Sequence, residues 1–395
     1  MGSVLHRTRT GLEELLAQGC DGLRGRRAGL LVHPASVDGS LRPTAELLHD
    51  HPRVDLRVLF GPQHGINGET QDNMIEWEGF RDPVTGLPIH SLYGQQRKPT
   101  EAMLADIDVL VVDLQDVGAR YYTFIWTMLL CLEACAESGR QMVVLDRPNP
   151  LGGLAREGAL PEPGYESFVG LAPLPMRHGL TMGELARMWN DQRGLGVDLE
   201  VVAMQGWERS MVFDATGLPW VLPSPNMPTL ETAWVYPGGC LLEGTNLSEG
   251  RGTTRPFEIL GAPFIDPHAL VSRMAAFGLP GFTLRPLSFQ PTFHKFAGRV
   301  CGGVQVHVTD RGTFGPVATF LALLMAIREL YPEDFAWREP PYEYEVEKLP
   351  IDILAGGPWL RRAVDGADPL AEVIARWTPE LTSFDEEAAR YRIYG

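Results

Sequence analysis

Short apolar segments alternate with amphipathic ones along the first half of the chain, and this alternation restricts the folds open to it. The predicted buried strands are AGLLVHP from Ala28, VDLRVLF from Val54, DVLVVDL from Asp108, QMVVLD from Gln141 and DLEVVAM from Asp198. The predicted helices between them are GLEELLAQG from Gly11, TAELLHD from Thr44, the segment from Tyr121 to Ser138, and TMGELARMWN from Thr181. Near-continuous apolar strands separated by helices are typical of a parallel sheet covered on both faces. The pattern therefore predicts an α/β domain.

Two threonines are predicted to mark helix starts. Thr44 precedes an apolar periodic segment and is expected to act as an N-cap. Thr181 and Glu184 have the spacing of a capping box, in which each side chain bonds the backbone of the other.

The character of the chain changes between Gly217 and Pro263, where Pro- and Gly-rich segments follow one another. Long loops of this kind are more often functional than simple linkers. Beyond them the pattern predicts a helix from His268, strands near Phe282 and from Gly302, and a helix from Pro316 to Leu330; the tail from Leu370 is also predicted to be helical. We therefore expect an α/β domain over residues 1–220 and a smaller C-terminal α/β (α+β) subdomain over 221–395.

The bulk composition excludes several classes of partner. A formal net charge of -16 over 395 residues argues against binding to nucleic acid and against a polybasic membrane attachment. No apolar run is long enough to insert into a membrane, and MGSVLHRTRTGLEELL lacks the apolar core of a secretory signal. A cytoplasmic location is therefore predicted, with export as the alternative if a leader has been removed. The five cysteines fit no zinc or redox spacing, which favours reduced structural thiols.

Several familiar site motifs are missing from the sequence. No G-x-G-x-x-G follows a predicted strand, and there is no Walker loop, no H-E-x-x-H and no G-x-S-x-G. Their absence argues against a dinucleotide site of the usual kind and against a serine nucleophile at a strand end. No metal site and no cofactor are predicted.

Polar loops follow four of the predicted strands. They are GPQHGINGETQDN after Phe60, LQDVGARYY after Asp113, RPNPLGG after Asp146 and QGWER after Met204. Ligands of open parallel sheets bind beyond the carboxyl ends of the strands, so these loops are expected to converge at one edge. In particular, Gln63, Asp116, Arg147 and Asn226 are predicted to line one cleft.

The first of these loops is rich in amide and carboxyl groups: Gln63, His64, Asn67, Glu69, Gln71, Asp72 and Asn73. Such groups suit a sugar, whose hydroxyls both donate and accept hydrogen bonds. A solvated loop with glycine-assisted turns is the simpler alternative.

The remaining candidates each have a structural alternative. Asp116 precedes a helix and could be an N-cap, Arg120 could pair with Asp116, and His178 could be a satisfied core histidine. The other candidates stand in motif-dense loops: Tyr122, Arg147, Asn149, Asn226, Glu243, Asn246, Glu249 and Arg251.

These motifs occur in a fixed order, and the order resembles one family. FGPQHG, SLYG, DLQDVGARYYT, LDRPNPLGG, SFVG, RHGLTMGELA, PSPNMPT and EGTNLSEGRGTT follow one another from Phe60 to Thr254. The chain resembles the NamZ-type exo-β-N-acetylmuramidases from about Leu30 to at least Pro263. The resemblance implies a Rossmann-like domain, a smaller C-terminal subdomain and an active site in the cleft between them.

The resemblance also implies an activity. Family members release N-acetylmuramic acid from the non-reducing end of peptidoglycan fragments in cell-wall turnover, with no metal or organic cofactor. The expected partner is therefore a peptidoglycan-derived oligosaccharide. This chain departs from the commonest pattern at Gln63, because many relatives have Glu-His-Gly where it has Gln-His-Gly. Many relatives are also exported.

Roles for the candidates follow from the chemistry of glycoside hydrolysis, which usually needs two carboxyl groups. Glu69 and Glu249 are the first candidates and Glu243 the third, while His64, Asp116, Tyr122 and His178 would orient groups or move protons. Arg120, Arg147 and Arg251 are candidates for binding the lactyl carboxylate, which a guanidinium fork matches. The open alternatives are a non-catalytic glycan-binding protein, favoured by Gln63, and another hydrolase on the same scaffold.

Overall fold

The computed structural model describes residues 7–71 and 74–395, so the predicted loop residues Asp72 and Asn73 lie outside the described part. The strands are β1 (Arg27–Val32), β2 (Asp55–Gly61), β3 (Ile89–Ser91), β4 (Val109–Asp113), β5 (Gln141–Leu145), β6 (Leu199–Val202), β7 (Ile259–Ala262), β8 (Phe282–Phe289) and β9 (Cys301–Val308). The helices are α1 (Gly11–Ala17), α2 (Thr44–His49), α3 (Glu101–Leu104), α4 (Phe124–Ser138), α5 (Met182–Gln192), α6 (Leu230–Gly239), α7 (Pro267–Ala275), α8 (Pro316–Leu330), α9 (Pro350–Ala355), α10 (Trp359–Asp365) and α11 (Leu370–Ala388).

The first six strands form one parallel sheet in the order β3-β2-β1-β4-β5-β6. This is the strand order of a doubly wound Rossmann sheet, with the order reversing between β1 and β4. The predicted α/β sheet is therefore confirmed, including each of the five predicted strands.

The two faces of this sheet are buried by different helices. Because side chains alternate across a strand, Val109 and Val111 face the layer of α1 and α2, whereas Leu110 and Val112 face α4 and α5. Leu12 of α1 is fully buried in the apolar cluster that contains Val109 and Val111. Burial on both faces explains why the strands are apolar at nearly every position.

The C-terminal part contains a three-stranded antiparallel sheet in the order β7-β9-β8, together with the remaining helices. Its helix α8 packs against α6. Both helices belong to the same apolar cluster as α4 and the sheet residues Leu110 and Val112. The predicted fold class, a Rossmann-like domain with a smaller α/β (α+β) part, is thus confirmed. The division at residue 220 stays a prediction.

Three local predictions have different outcomes. The capping box of Thr181 and Glu184 is confirmed at the start of α5. The prediction for Thr44 was wrong: α2 begins at Thr44 with Pro43 as its cap, since the Thr44 hydroxyl bonds the Ser36 carbonyl and Asp113 instead. Helix α4 begins at Phe124 rather than at Tyr121, because the two tyrosines before it lie in a turn.

The predicted helical tail from Leu370 is confirmed as α11. Across residues 7–71 and 74–395, no helix has the length and apolar character needed to cross a membrane.

Candidate active site

A polar cavity lies where the carboxyl end of the parallel sheet meets the C-terminal part of the chain. The empty space within it, including the part open to solvent, is about 460 Å³. It is lined by Gln63, His64, Tyr121, Tyr122, Thr123, Phe124, Val169, Ser224, Asn226, Met227, Tyr236, Glu243, Arg251, Phe257, Tyr342 and Glu343. Both parts of the chain contribute walls, as expected for a cleft between them.

Five segments bring the polar side chains to this cavity. Gln63 follows the end of β2, and Thr123 directly precedes α4. Asn226 comes from the Pro-rich segment before α6, and Glu243 lies in the short 3-10 turn after that helix. Glu343 comes from the connection between α8 and α9. The cavity therefore forms only when distant parts of the chain have folded together.

Glu343 is a buried carboxyl group in the cavity wall, with 4% of its surface exposed. Its Oε1 accepts a hydrogen bond from the Gln63 side-chain amide at 3.3 Å, and its Oε2 accepts one from the Tyr93 hydroxyl at 3.1 Å. The same Gln63 amide nitrogen donates to the Tyr93 hydroxyl at 3.0 Å. The Thr123 hydroxyl donates to the Gln63 carbonyl oxygen at 2.7 Å, which fixes the orientation of that amide.

The environment of Glu343 favours its protonated form. Burial raises the pKa of this carboxyl to about 7, and the nearby Glu243 carboxylate adds to the rise. The hydrogen bonds from Tyr93 and Gln63 and the charge of Arg251 act in the opposite direction and are outweighed. Desolvation destabilises the charged form of an acid, so a carboxyl group here can carry a proton near neutral pH.

Glu243 lies in the same cavity but has a different environment. Its Oε1 accepts from the Arg251 guanidinium at 2.7 Å, and its Oε2 accepts from the Tyr342 hydroxyl at 2.7 Å. The ion pair is almost fully buried, with side-chain exposures of 6% for Arg251 and 3% for Glu243. The cavity therefore contains one carboxyl group in an ion pair and one whose pKa is raised to about 7.

Glu249 stands behind this pair and does not line the cavity. Burial raises the pKa of Glu249, but Lys295, His294 and Arg251 outweigh burial and hold it well below its ordinary value. The nearest of these charges is the Lys295 ammonium, 3.0 Å from Oε2. A carboxylate held in this way cannot donate a proton near neutral pH, which argues against the predicted acid role of Glu249.

His64 lines the cavity as a neutral ring. Burial lowers its pKa to about 4, and the Arg251 charge adds to the decrease. Its Nδ1 is 2.9 Å from the Thr70 carbonyl oxygen, which can only accept. Nδ1 therefore carries the hydrogen, and Nε2 is left as an acceptor.

The structure brings six of the fourteen predicted site residues to the cavity wall. They are Gln63, His64, Tyr122, Asn226, Glu243 and Arg251. Asn226 also donates through its amide to the Gln71 carbonyl, which ties the β2 loop to the Pro-rich segment.

The other predicted arginines make contacts outside this cavity. Arg120 is fully buried, and its two terminal nitrogens donate to the carbonyls of Ala159, Leu174 and Leu354. Arg147 forms a two-pronged ion pair with Asp113, at 2.5 and 2.8 Å, and lines a separate, smaller cavity. The expectation that Gln63, Asp116, Arg147 and Asn226 line one cleft was therefore wrong for Asp116 and Arg147, while Gln63 and Asn226 do line the same cavity.

The remaining predicted residues brace loops or face solvent. Asp116 bonds His178 at 3.1 Å in the interior. Asn149 bonds the backbone of Leu151 and Leu180. Asn246 bonds the backbone of Asp334 and Ala336. Glu69 is exposed and accepts from the Asn67 amide at 3.1 Å, so it is not part of the cavity wall.

Sequence reasoning did not identify Tyr93, Thr123, Tyr342 or Glu343. Glu343 belongs to the segment PPYEYE, which has no helical or strand periodicity and was given no role. An acidic residue between two tyrosines after two prolines is a loop signal that could have drawn attention to it.

No group of three or more His, Cys, Asp or Glu side chains within residues 7–71 and 74–395 is arranged to hold a metal ion. The cysteines are all buried free thiols, which agrees with the structural role expected for them.

Two sequence families match consecutive parts of the chain. The model described as "Exo-beta-N-acetylmuramidase NamZ, N-terminal" matches residues 28–231, and the corresponding C-terminal model matches residues 234–394. The peptidoglycan β-N-acetylmuramidase NamZ of Bacillus subtilis (strain 168) is 45% identical over 388 residues, covering 98% of this chain and 92% of that protein.

Two solved structures from Bacteroides fragilis NCTC 9343 share the fold, and both are described as DUF1343 family proteins. One has a TM-score of 0.89 and 36% identity, covering 98% of this chain and 99% of its own. The second has a TM-score of 0.74 and 28% identity, with the same coverage. The similarity thus extends over both parts of the chain, and the resemblance found in the sequence is confirmed: the chain belongs to the NamZ family of exo-β-N-acetylmuramidases.

Proposed function

We propose that the chain is a glycoside hydrolase that releases N-acetylmuramic acid from the non-reducing end of peptidoglycan-derived oligosaccharides. The observation that carries this proposal is the presence of two differently held carboxyl groups, Glu343 and Glu243, in one cavity. Glycoside hydrolysis generally uses one protonated and one ionised carboxyl group on either side of the scissile bond. Family membership and the relationship to the Bacillus enzyme supply the substrate class.

Polar groups around the cavity match the substituents of N-acetylmuramic acid. Among the three predicted arginines, only Arg251 lines the cavity, and its Nη1, which makes a long 3.4 Å contact with the Gln71 carbonyl, is proposed to bind the lactyl carboxylate. His64, Tyr122 and Asn226 are proposed to bind hydroxyl and acetamido groups, together with the side-chain carbonyl oxygen of Gln63, whose amide hydrogens go to Tyr93 and Glu343. Water is the only co-substrate that this reaction requires.

A non-catalytic glycan-binding role was suggested by Gln63, whose amide cannot supply a proton. Glu343 weakens that alternative, because an acid with a pKa of about 7 contacts this amide within the same cavity.

Two disaccharides that differ only in the order of their sugars test the proposal. The purified chain is incubated with N-acetylmuramyl-β-1,4-N-acetylglucosamine and, separately, with the reversed disaccharide, and the products are identified by mass spectrometry. We expect free N-acetylmuramic acid from the first substrate and no cleavage of the second. Cleavage of both, or binding of the first without turnover, would contradict the proposed exo-muramidase activity.

A further inference from the structure

We propose that Glu343 is the general acid of this cavity and that Gln63 and Tyr93 are positioning residues that hold its carboxyl group in place. This inference rests on the proposed glycosidase function and names the group that protonates the leaving oxygen.

The backbone at Glu343 supports a functional role. Tyr342 and Glu345 bond each other's backbone through two hydrogen bonds of 2.9 Å, so Glu343 and Tyr344 are the two central residues of a tight turn. Both have positive φ, 44° at Glu343 and 69° at Tyr344. Turns of this kind normally contain Asn or Gly, because other side chains are strained there. A glutamate and a tyrosine therefore occupy positions where the backbone is strained, as residues at functional sites often do.

Glu343, a central residue of this turn, lies in the cavity wall. Gln63 and Tyr93 together donate one hydrogen bond to each of its two oxygens. These bonds fix the plane of the carboxyl group but leave room for a proton, since a protonated carboxyl group keeps three acceptor positions and gains one donor. The donor can then point to the cavity, where the substrate would lie.

The surrounding charges separate the two carboxyl groups of the cavity into an acid and a base. Glu243 has a full ion pair with Arg251 and a hydrogen bond from Tyr342, whereas the direct partners of Glu343 are uncharged. Two carboxyl groups whose environments differ in this way are the usual basis of acid and base assignments in glycosidases. The titratable and charged groups that influence Glu343 are Glu243, Arg251, Tyr93, Tyr342 and Tyr344.

The proposed step balances with the groups present. The Glu343 proton moves to the glycosidic oxygen while the bond from C1 to that oxygen breaks, and the bonding electrons leave with the oxygen. Water then adds its hydroxyl group to C1, the Glu243 carboxylate accepts the proton released, and that proton returns to Glu343 to restore the carboxylic acid. The products are two alcohols, one of them the hemiacetal of N-acetylmuramic acid.

The other predicted carboxyl groups are poorly suited to this step. Glu69 is exposed on the β2 loop, and Glu249 is held in an ion-pair cluster behind the cavity wall. Neither lines the cavity.

The inference is tested with Glu343→Gln, which keeps the shape of the side chain but removes the titratable proton. Rates are measured on the disaccharide, which has a poor alkoxide leaving group, and on an aryl β-N-acetylmuramide with an activated phenol. We expect the variant to lose roughly two to four decades on the disaccharide and to keep most of its rate on the aryl glycoside. We also expect the decline of the wild-type rate near pH 7 to disappear. Glu347→Gln, on the exposed side of the same segment, is the matched control and should leave both rates unchanged.

The possible failures can be told apart. Equal losses on both substrates, with an unchanged pH profile, would assign Glu343 to binding or structure and overturn the inference while leaving the enzyme a glycosidase. If Glu69→Gln instead lost its rate on the disaccharide but kept its rate on the aryl glycoside, the general acid would be Glu69 of the β2 loop. A wild-type chain that hydrolyses neither substrate would overturn the proposed function itself. The thermal unfolding of each variant is compared with that of the wild-type chain, so that a loss of rate caused by unfolding is recognised.

Discussion

The side-chain amide of Gln63 lies 3.3 Å from the carboxyl group of Glu343, although the two residues are 280 positions apart in sequence. Gln63 belongs to the loop after β2 of the parallel sheet, and Glu343 belongs to the C-terminal part. Their contact joins the two walls of the cavity. It also places a neutral donor, rather than a charge, against the group that we propose as the acid.

Gln63→Glu would replace this neutral contact by a second carboxyl group. Two carboxyl groups at this separation do not both ionise readily, so one of the pair should hold its proton to a higher pH than Glu343 does now. We expect the alkaline decline of the rate to move above its wild-type position near pH 7. The measurement is the pH dependence of kcat/KM on the disaccharide. An unchanged profile would mean that Glu343 does not control that decline.

The stability of the protein should also depend on the Glu343 proton. Its pKa rises from an ordinary value of 4.5 to about 7 on folding, so its contribution is complete below pH 4.5 and is lost as the pH rises through about 7. The change corresponds to about 3 kcal/mol of unfolding free energy. We expect the wild-type chain to lose more stability than Glu343→Gln between pH 4.5 and pH 8 in urea titrations. Parallel curves for the two proteins would argue against a raised pKa.

Arg251→Lys tests the proposed site of the lactyl carboxylate. Lysine keeps the charge but loses the planar fork, so binding of N-acetylmuramic acid should weaken by about one to two decades. Binding of N-acetylglucosamine, which has no lactyl group, should change little. Calorimetric titration of both sugars checks this. Arg255→Lys, four residues on and partly exposed, is the matched control and should keep the preference. Equal weakening of the binding of both sugars would show that Arg251 does not bind the lactyl carboxylate.

Arg120→Met should affect stability rather than binding. The substitution would leave the buried carbonyls of Ala159, Leu174 and Leu354 without their donor, at about 1–3 kcal/mol for each unsatisfied group. We expect a loss of several kcal/mol in unfolding free energy and an unchanged KM for the folded enzyme. Arg187→Met, exposed on α5, should change stability by no more than about 0.5 kcal/mol. A raised KM without loss of stability would restore Arg120 as a substrate ligand.

The fold was predictable because its signals are local. Strands such as Val109–Asp113 are apolar throughout since both faces of the sheet are covered, and periodicity records this directly. The topological rule for parallel sheets then correctly directed attention to the loop after β2, which supplies Gln63 and His64.

The site was predictable only in part, because polar residues that bind a ligand and polar residues that satisfy the backbone look alike in sequence. Arg120, Asn149 and Asn246 stand in the same motif-rich loops as Arg251, yet their donors are used by buried or turn carbonyls. Glu343 could not be identified from the sequence for a different reason. Its role depends on a contact with Gln63 that only the folded chain creates, and its own segment has no periodic pattern.

A structure of the Glu343→Gln variant with N-acetylmuramyl-β-1,4-N-acetylglucosamine bound would test the account most directly. We expect the N-acetylmuramic acid ring in the cavity, its lactyl carboxylate against Arg251, and the glycosidic oxygen at hydrogen-bond distance, about 3 Å, from the residue 343 amide. The account would be contradicted if the sugar lay in the smaller cavity beside Arg147, or if Glu69 or Glu249 were the nearest carboxyl group to the glycosidic oxygen.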